Sequence, residues 1–86
     1  MSYAIQIKKK ALKELEALPT KVNLQIVSAI DALSENPRPK GSKKLQGEKE
    51  YLWRIRVGDY RIIYFIEDKI QVVEIRKITH RRSAYK

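Results

Sequence analysis

Along residues 3–8 apolar and polar side chains alternate, with Tyr3, Ile5 and Ile7 on one side and Ala4, Gln6 and Lys8 on the other. That is the period of a half-buried strand. At Lys9 the period changes. Ala11, Leu12, Leu15 and Leu18 fall on one helical stripe, which Pro19 ends. Thr20 is then placed to cap a second helix running to about Glu35, with Val22, Ile26, Val27, Ile30 and Leu33 as its buried stripe and Asn36-Pro37 as its stop. Two helices joined this closely predict an antiparallel helical hairpin.

Residues 36–47 hold two prolines, two glycines and four basic side chains, the composition of a loop. Three strands follow, over about 50–57, 60–67 and 70–78. Gly58-Asp59 suits a two-residue type II′ hairpin turn, and Glu67-Asp68-Lys69 the next turn. The predicted architecture is α+β in the order β-α-α-β-β-β, a helical hairpin packed on a small antiparallel sheet. At 86 residues the chain makes one domain, 1–86.

Sorting each strand by parity separates two faces. Tyr51, Trp53, Ile55, Val57, Tyr60, Ile62, Tyr64, Ile66, Val73 and Ile75 form an apolar layer for the helices to cover. The other face carries Leu52, Arg54, Arg56, Arg61, Ile63, Phe65, Val72, Glu74 and Arg76. The short turn sets Arg56 opposite Arg61, and the next hairpin is expected to bring Arg61 beside Glu74 or Arg76. Like charges directly opposite cost roughly 0.2–1 kcal/mol. One reading is a phosphate site that relieves this repulsion on binding. The others are a weak surface ion pair through Glu74, or arginines splayed into solvent.

Charge strengthens the first reading. Nineteen Lys and Arg against ten Asp and Glu leave a net charge of +9, the footprint of a nucleic-acid binder. No apolar run approaches the ~20 residues of a spanning helix, so no membrane role is expected. With no cysteine and a single histidine, the sequence predicts no disulfide, metal site or cofactor and a cytoplasmic setting. In the C-terminal tail, Arg81 and Arg82 stand near Tyr85, a pairing of phosphate-binding cations with a ring that can stack on an unpaired base. His80 is the one side chain with an ordinary pKa near neutrality. Lys43 and Lys44 lead into the arginine face and are candidate backbone contacts.

Lys44-Leu45-Gln46-Gly47, the stretch Trp53-Arg54-Ile55-Arg56-Val57-Gly58-Asp59-Tyr60-Arg61-Ile62-Ile63-Tyr64, and His80-Arg81-Arg82 together resemble the RelE/ParE toxin superfamily. The order of elements is similar as well. The resemblance implies a toxin of a type II toxin–antitoxin pair, held inactive by a small acidic cognate antitoxin. RelE-type members are ribosome-dependent endoribonucleases that cut mRNA in the A site through attack of the 2′-hydroxyl on the adjacent phosphate, without a metal. On this likeness Arg61 stabilises the phosphate, Arg81 acts near the leaving group and Tyr85 orients the substrate. Arg54, Arg56 and His80 complete the catalytic set, with Lys43, Lys44, Arg76 and Arg82 as RNA contacts.

The sequence departs from RelE in one strand, where Arg54 and Arg56 replace lysines, one of them the proposed base. Arginine, with an ordinary pKa above ~12, does not readily give up a proton. His80, Glu48 and Glu50 are the alternatives for that role. ParE-like members of the same superfamily inhibit DNA gyrase instead, and a non-catalytic nucleic-acid-binding module is a third possibility.

Overall fold

The computed structural model describes residues 2–45 and 51–81. The sites read from sequence at Arg82 and Tyr85, and the alternative bases Glu48 and Glu50, lie outside them. Strand β1 (Ala4–Ile7) leads into helix α1 (Lys9–Glu16) and helix α2 (Thr20–Glu35). Strands β2 (Lys43–Leu45), β3 (Leu52–Val57), β4 (Tyr60–Glu67) and β5 (Val72–His80) follow. They form one sheet in the order β1-β5-β4-β3-β2. The helical pair therefore carries the chain from one sheet edge to the other, across a single face.

The predicted element order is found, with one strand more and one pairing of the opposite sense. β1 runs parallel to β5, while the other neighbours are antiparallel. A parallel pair needs a long crossover, which the two helices and the meander supply. β2 was expected to be loop. It forms because the turn at Pro39 closes with Ser42 N–H donating to the Pro39 carbonyl at 2.9 Å, with Gly41 at φ +94°. That is the third position of a type II turn, where glycine avoids a Cβ clash. The exit from this turn lays Lys43 to Leu45 against β3.

The helix boundaries follow from Pro19. Its fixed φ of −56° with ψ of 148° occupies the capping position of α2, so Thr20 is the first helical residue instead of the cap. Asn23 replaces the expected cap in tying the hairpin together, its side-chain amide donating to the Leu15 carbonyl at 3.0 Å. Ala11, Leu15, Ile26, Ile30 and Leu33 are buried against Ile55, Ile62, Tyr64, Ile66, Val73, Ile75 and Ile78. Each fully buried Leu or Ile contributes roughly 1.5–3 kcal/mol. Leu12, assigned to the α1 stripe from sequence, is instead 41% exposed. Ala11 and Leu15 already fill the contact that α1 makes with the sheet.

The last hairpin differs most from expectation. Its turn occupies residues 68–71, with Gln71 at φ +54°, so β5 begins and ends two residues later than predicted. Asp68 fixes this turn from outside. It accepts from the Tyr3 hydroxyl at 2.8 Å and from the Arg38 guanidinium through both oxygens, at 3.2 and 2.8 Å. Arg38 also lies over the Trp53 ring, 5.2 Å from its centroid. Alongside, the buried Tyr64 hydroxyl donates to the Pro37 carbonyl at 2.8 Å, and burial pushes its pKa up to about 12. The post-helix loop is thus fastened to both β4 and the β4–β5 turn.

The Arg38 hydrogen bonds, and then that of Tyr3, hold the Asp68 carboxyl below its ordinary pKa. A lowered folded-state pKa gives stability that is present above the unfolded value and lost as pH falls through the folded one. Asp68→Asn should therefore lower the thermal midpoint at pH 7. The gap to the parent should narrow as pH falls below about 3.9, the ordinary carboxylate value. Thermal unfolding of both proteins from pH 7 to 2 checks this, and a constant gap would exclude the carboxylate as its cause.

Candidate nucleic-acid site

At the opposite end of β4, the Gly58-Asp59 turn joins β3 to β4, and of its two residues only Gly58 has positive φ, +58°. A type II′ turn has this form, and it sets the register. Val57 faces Tyr60, Ile55 faces Ile62, and Arg56 faces Arg61 as the parity predicted. The third strand corrects the expectation for Arg61. It faces Thr79, and neither Glu74 nor Arg76.

The cause is a β-bulge. Tyr64 pairs with Ile75 but Ile63 pairs with Lys77, leaving Arg76 as an extra residue in β5. Beyond the bulge Ile62 faces Ile78, Arg61 faces Thr79 and Tyr60 faces His80. Directly opposed residues share a face. Ile55, Ile62 and Ile78 therefore make a buried row under the helices, while Arg56, Arg61 and Thr79 make a row on the open face. Ile78, where the predicted strand ended, is only 4% exposed, and the strand runs on to His80. Glu14 of α1 supports this segment by accepting from the Ile78 N–H at 2.9 Å.

Arg81 follows at once. Its N–H donates to the Asp59 carbonyl at 2.6 Å, so the end of β5 is held against the β3–β4 turn. Arg56, Gly58, Asp59, Tyr60, Arg61 and Arg81 line a depression of about 50 Å³ there. Three arginines spread over 25 residues of sequence thus line one small concavity. They can meet a phosphate with several N–H donors at once, which arginine's planar fork favours.

Of the residues expected to act together, Arg56, Arg61 and Arg81 are brought to one place. Arg54 lies one row down, flanked by Lys43 on β2 and by Ile63 on β4. Lys44 pairs with Trp53 on the helix side of the sheet and stacks on Tyr51, 4.0 Å from the ring centroid. His80 likewise faces Tyr60 on the helix side, edge-on at 5.0 Å between ring centroids. Arg76 lies over Phe65 at 5.3 Å and donates to Glu74. Glu74 also faces Lys8 at 3.7 Å, so the ion pair expected through Glu74 forms with Arg76 of the open-face arginines, and with Lys8.

Sequence reading passed over Thr79. Its hydroxyl oxygen is fully buried beside Arg61 and makes no hydrogen bond. Such burial costs about 1–3 kcal/mol. The signal that would have found it is the register of β5, which the bulge hides. Among the described residues no group of three or more His, Cys, Asp or Glu side chains could hold a metal, and no helix is long and apolar enough to cross a membrane.

Fold and site together define a small basic α+β domain with an arginine-lined depression, and comparison with known proteins gives its family. Residues 5–85 match the family described as the ParE toxin of the type II toxin–antitoxin system, parDE. RelE1 of Methanocaldococcus jannaschii is 35% identical over 89 residues, covering 100% of this chain and 98% of that one. The toxin RelE of Mycobacterium tuberculosis is 35% identical over 85 residues, covering 98% and 87%. In the solved archaeal RelE-RelB complex from Pyrococcus horikoshii, a chain with 34% identity superposes with a TM-score of 0.83 over 94% of this chain and 97% of that one. The chain belongs to the RelE/ParE superfamily of type II toxins.

Arg56→Ala removes a like-charge pair and should raise the thermal midpoint slightly, by the equivalent of roughly 0.2–1 kcal/mol. It should also weaken binding of single-stranded RNA and reduce the slope of log affinity against log salt by about 0.7, the share of one phosphate contact. Melting curves and fluorescence anisotropy at several salt concentrations check both effects. An unchanged salt slope would remove Arg56 from the site.

Proposed function

We propose that the chain is a ribosome-dependent endoribonuclease that cleaves translated mRNA in the A site, with the depression between Arg56, Arg61 and Arg81 as its phosphate site. The convergence of these arginines on one concavity carries this reading. The ribose 2′-oxygen attacks the adjacent phosphorus, and the bond to the 5′-oxygen of the next nucleotide breaks. The products are a 2′,3′-cyclic phosphate and a 5′-hydroxyl, with the 2′-hydroxyl proton given up and one proton taken by the leaving oxygen.

Negative charge grows on the non-bridging oxygens of the phosphorane. Arg61, set within the sheet, is placed to stabilise it, and Arg81 stands at the rim where the leaving oxygen would lie. Fixed cations act more strongly there than in water, because they need no reorganisation as the charge develops. Arg54 and Lys43 extend the basic surface along the open face and suit the RNA backbone on either side. The ribosome would supply what so small a domain lacks, a rigid wall that holds the mRNA in line for attack.

The partner that restrains the toxin is an acidic antitoxin. A net charge of +9 favours such a partner. Relatives from Pyrococcus horikoshii and Mycobacterium tuberculosis were solved as RelE-RelB and RelBE2 complexes. Translating ribosomes as target place the activity in the cytoplasm. The match to the ParE family supports one other reading, gyrase inhibition, in which the arginine cluster has no catalytic duty.

Primer extension on mRNA in programmed ribosomes separates the two. The parent should cut ribosome-bound mRNA and leave free RNA intact, and Arg61→Ala should lose about 10²–10³ in rate, as expected for one transition-state donor, while remaining folded. Absence of cuts from folded, antitoxin-free protein, together with DNA-damage signalling in expressing cells, would replace this reading with gyrase inhibition.

A further inference from the structure

Thr79 is held in a way that folding alone does not favour. Its side chain shares the open-face row with Arg56 and Arg61, directly opposite Arg61, and its buried hydroxyl makes no hydrogen bond. Valine has nearly the same shape and the same preference for strands, without a polar atom to desolvate. A hydroxyl kept at that cost, two residues before Arg81 and across from Arg61, is in place to serve the site.

The chemistry specifies how. A guanidinium has five N–H donors in a rigid fork and no acceptor. It must therefore be oriented by acceptors. A carboxylate would orient it but would also neutralise the charge needed by the phosphate, and Glu74 is held away by Lys8 and Arg76. A threonine hydroxyl can accept a hydrogen bond and leave the charge intact.

We propose that Thr79 is a positioning residue for Arg61: its Oγ1 accepts a hydrogen bond from the guanidinium and fixes its plane when a phosphodiester occupies the depression. This rests on the depression being the phosphate site. With one edge of the fork taken by Thr79, the opposite N–H pair points at the non-bridging oxygens. The contact acts through orientation, so it should affect turnover more than binding.

The test uses antitoxin-free protein with Thr79→Val and Thr79→Ser. Thr79→Val should melt at or above the parent's temperature, lose about 10- to 100-fold in kcat for ribosome-dependent cleavage and keep KM within about threefold, as a misplaced catalytic group does. Thr79→Ser should recover most of kcat. A second measurement does not depend on cleavage. The ¹⁵N signal of the Arg61 Nε–H, assigned by its loss in Arg61→Lys, should shift when a 2′-O-methyl trinucleotide is added to each protein, and by a clearly larger amount in the parent and Thr79→Ser than in Thr79→Val. If the parent cuts no mRNA yet shows this pattern, the endonuclease reading fails and Thr79 keeps its role. An Arg61 response that is absent in the parent, or the same in Thr79→Val, overturns the proposal. Full kcat in Thr79→Val, or a lower melting temperature that serine restores, would also overturn it.

Discussion

One extra residue in β5 governs how the two faces of the sheet are used. Up to Ile75 the strand alternates as its pairing with β1 and β4 requires, with Val73 and Ile75 buried. Continued without interruption, that alternation would drive Lys77 into the core opposite Ile62 and turn Ile78 to solvent. The bulge at Arg76 resets the parity by one, so Ile78 enters the core and Thr79 joins Arg61 outside. Bulges also increase local twist. Here the redirected strand ends with Arg81 bonded to the β3–β4 turn, and the third arginine reaches the other two only because of that path.

The two ends of the sheet treat charge in opposite ways. At the end near β1, Asp68 is shared between Tyr3 and Arg38, and Arg38 covers Trp53. Between the ends, Glu74 is taken by Lys8 and Arg76. At the far end, Arg56, Arg61 and Arg81 surround a concavity whose acidic residue is Asp59, in the turn. Ion pairs thus fasten the loops at one end, and three arginines line a concavity open to a polyanion at the other. The like-charge cost at Arg56 and Arg61 is small against a core of a dozen buried apolar side chains.

That core is also what makes the site rigid. Ile55, Ile62 and Ile78 lie on the reverse side of the same three strands, beneath Arg56, Arg61 and Thr79. Helix α1 adds the Glu14 hydrogen bond to the Ile78 backbone, beyond the point where β1 ceases to pair with β5. The chain's small size therefore does not leave the arginines on loops: two of the three stand on strands fixed from behind.

Much of this was legible in the chain. Period-two and helical stripes gave the order of elements, Pro19 and Asn36-Pro37 gave the helix ends, and Gly58-Asp59 set Arg56 against Arg61, because short-range sterics decide all of these. Motif likeness added the superfamily, which the comparisons show, and pointed to Arg81, which the fold brings beside Arg56 and Arg61. Strand β2, the parallel pairing of β1 and the β4–β5 turn were not legible, since each is fixed by contacts between distant residues, such as Tyr3 and Arg38 on Asp68. The bulge belongs with them. Nothing local to residues 75–78 announces an added residue; it appears only when burial of Ile78 against the helices is weighed against ladder pairing to β4. For the same reason the sequence determined which residues could form a phosphate site, and the tertiary structure alone decided that Arg61 would face Thr79 and that Glu74 would be held away.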